Sequence, residues 1–102
     1  MKKKIFESYL KEVCRQSGLS EEELLTKNKQ TKYTRPRQML IYLCLRHSNM
    51  SVKEVVEHLA DHGFSIPHST INYSRSKFEH LLTEDSTLYV ITKQIANSVI
   101  VE

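Results

Sequence analysis

Apolar residues recur every three or four positions along most of this chain, the spacing that places them on one face of an α-helix. The first such stretch predicts an amphipathic helix over residues 5–17. Gly18 is placed to end it, because glycine readily takes the left-handed conformation that follows many helices. Ser20 and Glu23 have the spacing of a capping box, which predicts a short second helix through the two leucines that follow.

The most buried helix is predicted in the middle of the chain, where the run MLIYLCL is apolar nearly all round. We expect this helix to begin near Arg35, with Pro36 at its first position, where the missing N–H of proline removes no hydrogen bond. It ends around residues 47–49. The segment before it, residues 27–34, has neither an apolar period nor a turn glycine and is predicted to be an exposed loop.

The next two helices form a pair. Ser51 and Glu54 make a second capping box, which opens a helix over residues 52–62, and Gly63 follows as its stop. The short turn GFSIP then leads into a helix over residues 67–82. Two helices joined by a short turn that contains glycine are the helix-turn-helix pattern.

Composition agrees with a helical protein. The chain has 102 residues, 39% of them hydrophobic, with only two Gly and two Pro. So few turn-forming residues argue against a many-stranded sheet. With a last helix predicted over residues 86–100, the fold class is all-α, with about six helices and an embedded helix-turn-helix in a single domain at residues 1–102.

No apolar run approaches the roughly 20 residues that a membrane-spanning helix needs. The basic start MKKKIFESYL lacks the apolar segment of a signal peptide, and Glu7 interrupts it. We therefore expect a cytoplasmic protein without a membrane partner. Cys14 and Cys44 lie in apolar helical stretches outside any Cys-x-x-Cys spacing, and both are predicted to be buried reduced thiols.

Positive charge is concentrated in the first half of the chain. Residues 1–50 hold 11 Lys and Arg against 5 Asp and Glu, a net charge of +6, whereas residues 51–102 hold 4 against 7, a net charge of −3. The stretch KNKQTKYTRPRQM has no acidic residue and five cations: Lys27, Lys29, Lys32, Arg35 and Arg37. Such polarity indicates an anionic partner. A solvated loop without a partner is the alternative.

The sequence shows no arrangement typical of catalysis or of a cofactor. His58 and His62 are spaced to hold a metal on one helix face, but no third ligand accompanies them. Ser69 lacks the partners that activate a nucleophile. A GxxxxGK[ST] phosphate loop is also missing. We therefore expect a protein that is not an enzyme, holds no metal and needs no cofactor.

Three segments, ELLTKNKQTKYTRPRQM, MSVKEVVEHL and PHSTI, resemble the C-terminal DNA-binding domain of the bacterial replication initiator DnaA. The likeness covers roughly residues 5–100, and Arg-Pro-Arg-Gln-Met at 35–39 is its most specific part. The resemblance implies a Trp-repressor-like helical fold with an embedded helix-turn-helix. It also implies binding to double-stranded DNA.

The resemblance assigns roles to single residues. Lys29 matches the loop position that approaches the minor groove in the family. Arg37, Gln38 and the helix start at Ser51 match positions that lie against phosphates.

The start of the predicted helix 67–82 matches the part of the family that faces bases in the major groove. His68, Ser69 and Thr70 stand at the family's His-Thr-Thr positions. Together with the loop cations, the predicted DNA-binding residues are Lys27, Lys29, Lys32, Arg35, Arg37, Gln38, Ser51, His68, Ser69 and Thr70.

Three departures from the family pattern leave the recognised DNA sequence open. The family's Arg-Asp before the His is Ile66-Pro67 here, which removes a cation and a carboxylate that can accept a hydrogen bond from cytosine. Lys29 stands where Arg is usual, and an ammonium lacks the planar fork of donors. The turn between the paired helices is also a few residues longer.

The sequence thus predicts a sequence-specific double-stranded DNA-binding protein in replication or transcription control. The basic loop would contact the backbone and minor groove, and the second paired helix would enter the major groove. The alternative is a protein-interaction module that binds a replication or transcription protein through its acidic second half or its apolar end VIVE. The oligomeric state is left open, and a monomer is compatible with the sequence.

Overall fold

The computed structural model describes residues 2–99. They form six α-helices and no strand: α1 Lys2–Ser17, α2 Glu21–Leu24, α3 Thr31–His47, α4 Val52–Asp61, α5 His68–Glu84 and α6 Ser86–Ser98. The all-α prediction is confirmed. Among these helices none is both long and apolar enough to cross a membrane. Most of the apolar end VIVE, residues 100–102, lies outside the described residues.

Helix α3 lies at the centre and contacts each of the other five helices. Its buried side chains belong to one apolar cluster that draws on all six helices. Full burial of a large apolar side chain stabilises a fold by about 1.5–3 kcal/mol. The rotation of α3 about its own axis is therefore set by packing on several sides, and this rotation decides where its polar residues point.

The local signals of the sequence set most helix ends. In both capping boxes, Ser20 with Glu23 and Ser51 with Glu54, the serine Oγ accepts from the glutamate N–H at 3.1 Å. Each glutamate carboxylate accepts in return from the serine N–H at 2.9 Å. The two glycines, which follow α1 and α4, have φ of 75° and 84°. Only glycine takes this left-handed conformation without cost, so α1 ends where predicted and α4 ends one residue earlier than predicted.

Helix α3 begins at Thr31, about one turn earlier than the sequence predicts. Asn28 Oδ1 accepts a hydrogen bond from the Gln30 N–H at 2.9 Å, and the Gln30 carbonyl accepts the first helical bonds. Pro36 therefore lies inside the helix, and its missing N–H removes a bond to the carbonyl four residues earlier. The prediction that Pro36 occupies the first helical position is wrong, and the loop shortens to residues 25–30.

Both cysteines and one histidine are at least partly buried. Cys44 is fully buried and Cys14 is partly buried, and both are free thiols. His47, at the end of α3, is half-buried with its ring 5.6 Å from the Tyr42 ring. Burial lowers the pKa of His47, and nearby Lys93 lowers it further.

Candidate nucleic-acid interface

The helix-turn-helix consists of α4, a turn over residues 62–67, and α5. Ile71 and Phe78 of α5 are buried in the core, and Phe64 of the turn is buried with them. This packing turns the opposite side of the first half of α5 outward. His68 and Ser69 are accordingly exposed.

An open cleft of about 400 Å³ lies between α3, the loop at residues 25–30 and the start of α5, and we call it the α3–α5 cleft. Pro67 lines it, so His68 and Ser69 follow directly at its edge. Five of the ten predicted DNA-binding residues line the cleft itself: Lys27, Lys29, Arg37, Gln38 and Thr70. The fold thus brings together residues that lie more than 40 positions apart in the sequence.

The first turn of α5 has unused hydrogen-bonding groups. Its N-cap is Pro67, which provides no side-chain cap, whereas α2, α4 and α6 each have one. Within residues 2–99 the hydroxyls of Ser69 and Thr70 form no hydrogen bond. Free N–H groups and the helix dipole favour an anion at this end of a helix.

Arg37 ties the loop to α3. Its Nη1 donates to the carbonyls of Leu24, at 3.2 Å, and of Thr26, and its Nη2 donates to the carbonyl of Asn28 at 2.7 Å. Its Cζ lies 5.5 Å from the centre of the Phe64 ring. Burial lowers the pKa of Arg37, although a guanidinium stays charged at neutral pH. Three of its five donors hold the backbone of residues 24–28, and the phosphate contact expected from the resemblance stays a prediction.

The other three predicted residues lie away from the cleft. Ser51 caps α4, and its partner Glu54 also forms an ion pair with Lys2 at 2.9 Å. Lys32 and Arg35 line a separate groove between α3, α1 and α6.

Tyr73 is a cleft residue that the sequence reasoning missed. It is 62% exposed, lines the cleft, and follows Thr70 by one helical turn on the same side of α5. The sequence pattern does indicate that Tyr73 is exposed, because position 73 falls outside the apolar stripe that Ile71 and Phe78 define. A large aromatic residue there has no packing role.

The pair of histidines on α4 has a structural environment. The rings of His58 and His62 lie 5.2 and 5.3 Å from the Phe6 ring, and His62 Nδ1 bonds to Glu21. In the described part of the chain, no three His, Cys, Asp or Glu side chains are grouped to hold a metal.

A helix-turn-helix with exposed cations beside the start of its second helix is typical of the class of DNA-binding helix-turn-helix proteins. Residues 7–77 match the family described as bacterial dnaA protein helix-turn-helix, and the chain belongs to this family. The resemblance found in the sequence is thereby confirmed.

One relative is the chromosomal replication initiator protein DnaA of Jannaschia sp. (strain CCS1), which is 31% identical over 87 residues. The matched region covers 85% of this chain but 18% of that protein, so the chain spans less than a fifth of the length of its relative. No solved structure matches the chain.

Proposed function

We propose that the chain binds double-stranded DNA in a sequence-specific way, with the first turn of α5 in the major groove. The observation that carries this proposal is the α3–α5 cleft, which places Lys27 and Lys29 beside the uncapped start of α5. In helix-turn-helix proteins the second helix enters the major groove, and its N-terminal residues contact base edges.

In this proposal the residues of the cleft make two kinds of contact with DNA. Lys27 and Lys29 would contact the phosphate backbone and the edge of the minor groove, and would provide affinity for any sequence. Thr70, with its neighbours His68 and Ser69, would contact bases and provide discrimination of about 1–3 kcal/mol for each good contact.

Gln38 and Ser51 complete the backbone contacts in this proposal. Gln38 lines the cleft beside the loop. Ser51 begins α4, the first helix of the pair, which crosses the DNA backbone in proteins of this class. Lys32 and Arg35 have no part here, because they line the groove on the other side of α3.

The relative suggests the setting through its function. It is a chromosomal replication initiator, so we propose that this chain acts in replication or in transcription control by occupying a DNA site. Binding of this kind requires no catalytic step and no cofactor.

Selection from a randomised duplex library tests the proposal. The purified chain is incubated with the library at two salt concentrations, and the bound fraction is sequenced. We expect one enriched motif that survives the higher salt, with overall binding that falls steeply as counterions compete. Binding without a motif would contradict sequence specificity, and an absence of binding at both concentrations would contradict the proposal as a whole.

Matched variants then locate the base contacts. Thr70→Ala and His68→Ala should each relax the motif at particular base pairs while binding to other sequences changes little. Thr87→Ala, at an exposed threonine of α6, and His80→Ala, at the far end of α5, are the controls. If Thr70→Ala weakens binding equally on every sequence, Thr70 does not read a base.

A further inference from the structure

The groove between α1, α3 and α6 is a second surface with its own chemistry. It has a volume of about 350 Å³, near the small end of the roughly 300–1,000 Å³ found for ligand pockets. Its floor is apolar, and is formed by Val13, Pro36, Met39, Leu88 and Ile91. A ligand with apolar side chains would remove this floor from water, which stabilises the complex. The sugar-phosphate backbone of DNA is polar and would not provide this stabilisation.

Two cations lie at the edge of this apolar floor. Lys32 and Arg35 line the groove, both are exposed, and neither forms an ion pair with any of residues 2–99. The nearby carboxylate of Glu23 is already bonded to the Ser20 N–H. Hydrogen bonding to Ser20 lowers the pKa of Glu23, and the Lys32 charge lowers it further. The Lys32 Nζ lies 4.9 Å from the centre of the neighbouring Tyr33 ring, a weak contact that does not neutralise its charge. An incoming carboxylate would therefore compete with no ion-paired carboxylate of residues 2–99 for the two cations.

The groove and the α3–α5 cleft lie on opposite sides of one helix. Positions 32, 35, 36 and 39 of α3 line the groove, whereas positions 34, 37, 38 and 41 line the cleft. The second set is offset from the first by two residues, which is about 200° around an α-helix. A molecule in the groove would therefore leave the DNA-facing cleft open.

We propose that this groove binds a short acidic segment of a partner protein, with one or two apolar side chains on the floor and flanking Asp or Glu residues at Lys32 and Arg35. Amphipathic segments are recognised in this way when their apolar face enters a hydrophobic groove. The charge of the rim selects an acidic segment over a basic one.

A displayed library of random 12-residue peptides, panned against the purified 102-residue chain, tests the proposal. We expect enrichment of peptides that place Leu, Ile, Phe or Met next to Asp or Glu. Each enriched peptide is synthesised with a fluorescent label, and its Kd is measured by anisotropy. The double variant Lys32→Glu/Arg35→Glu should weaken peptide binding by about tenfold or more, because two attractions become repulsions.

The matched control is Lys27→Glu/Lys29→Glu, which reverses two cations on the other side of the molecule. It should bind the peptides like the unchanged chain and lose DNA binding, whereas Lys32→Glu/Arg35→Glu should keep DNA binding. Far-UV circular dichroism checks that both variants fold, and Lys32→Gln/Arg35→Gln replaces the first if it does not.

Three results would each overturn the proposal. The library could show no acidic enrichment, or the enriched peptides could bind the Lys32→Glu/Arg35→Glu variant with unchanged Kd. Alternatively, that variant could lose DNA binding as fully as the control does, which would assign the groove rim to the DNA surface. The peptide measurement does not depend on DNA binding, so its outcome is separate from that of the proposed DNA function.

Discussion

The Nη2 atom of Arg37 lies 2.7 Å from the carbonyl oxygen of Asn28, and this hydrogen bond joins the central helix to the loop that carries Lys27 and Lys29. With its bonds to two further carbonyls, Arg37 holds the loop, and we expect it to act on DNA binding in this way. A loop held in one conformation loses less entropy when its cations meet a ligand.

Replacement of Arg37 by lysine separates this positioning role from a direct phosphate contact. Arg37→Lys keeps the charge, but an ammonium cannot span three carbonyls. Loss of bonds made by a charged donor costs about 1.5–3 kcal/mol, so we expect DNA affinity to fall by about tenfold on every sequence. Fluorescence anisotropy with specific and unrelated duplexes measures this loss of affinity.

Arg35→Lys is the matched control for that experiment, since Arg35 makes no hydrogen bond within residues 2–99, and we expect it to bind DNA like the unchanged chain. Amide hydrogen exchange over residues 26–30 should also quicken in Arg37→Lys alone. If Arg37→Lys binds normally and Arg37→Ala does not, the charge of Arg37 contacts phosphate directly.

Tyr73 should contribute to sequence preference. An exposed aromatic ring one turn after Thr70 can cover the methyl group of a thymine, a contact that distinguishes bases. We expect Tyr73→Ala to relax the selected motif at one base pair beside those affected by Thr70→Ala, at a cost of about 1–3 kcal/mol. Tyr73→Phe should retain the preference, because the ring remains.

Tyr89→Ala is the control for Tyr73→Ala, since Tyr89 is a similarly exposed tyrosine on α6 outside the cleft. Selection from the randomised library with all three variants gives the comparison. An unchanged motif in Tyr73→Ala would remove Tyr73 from the recognition surface.

Lys29 should contribute affinity for DNA without a preference for any base sequence. Neutralising one phosphate contact reduces the slope of log K against log salt concentration by about one. We expect Lys29→Ala to show this reduced slope and a uniform loss on all duplexes, in a salt titration of binding. Lys93→Ala removes an exposed cation of α6 and should leave the slope unchanged. Equal slopes for the two variants would place Lys29 away from the phosphates.

Glu54 should make the stability of the fold depend on pH in acid. Hydrogen bonding to the Ser51 N–H, followed by the contact with Lys2, lowers the pKa of Glu54 from 4.5 to about 2. As the pH falls, Glu54 is therefore protonated at a higher pH in the unfolded chain than in the folded protein. The stabilisation is complete above about pH 4.5 and is lost between that value and pH 2.

Glu54→Gln should accordingly have a lower thermal midpoint than the unchanged chain at pH 7, and the difference should disappear by about pH 2. Thermal unfolding followed by circular dichroism between pH 2 and 7 measures both midpoints. Glu57→Gln, at an exposed position of the same helix, is expected to show no such convergence. A constant difference across this range would mean that the charge of Glu54 plays no part.

Much of the fold could be predicted because its signals act over a few residues. Ser20 and Ser51 each bond a glutamate three positions away, and Gly18 ends α1 through its own backbone conformation. The start of α3 escaped prediction for a related reason. The Asn28 side chain accepts a hydrogen bond from the Gln30 N–H and turns the loop just before the helix. An asparagine is a weaker sequence signal than Pro36, which indicated a later helix start.

The sequence by itself determined the helices, the helix-turn-helix and the concentration of cations before α3, because periodicity, caps and charge are properties of neighbouring residues. Only the tertiary structure decided which cation lies on which surface. Arg35 and Arg37 are two positions apart and look equivalent in the sequence, yet one lines the groove and the other the cleft. The packing of α3 against α1 and α6 on one side and α5 on the other fixes its rotation, and this packing depends on contacts between residues far apart in the chain.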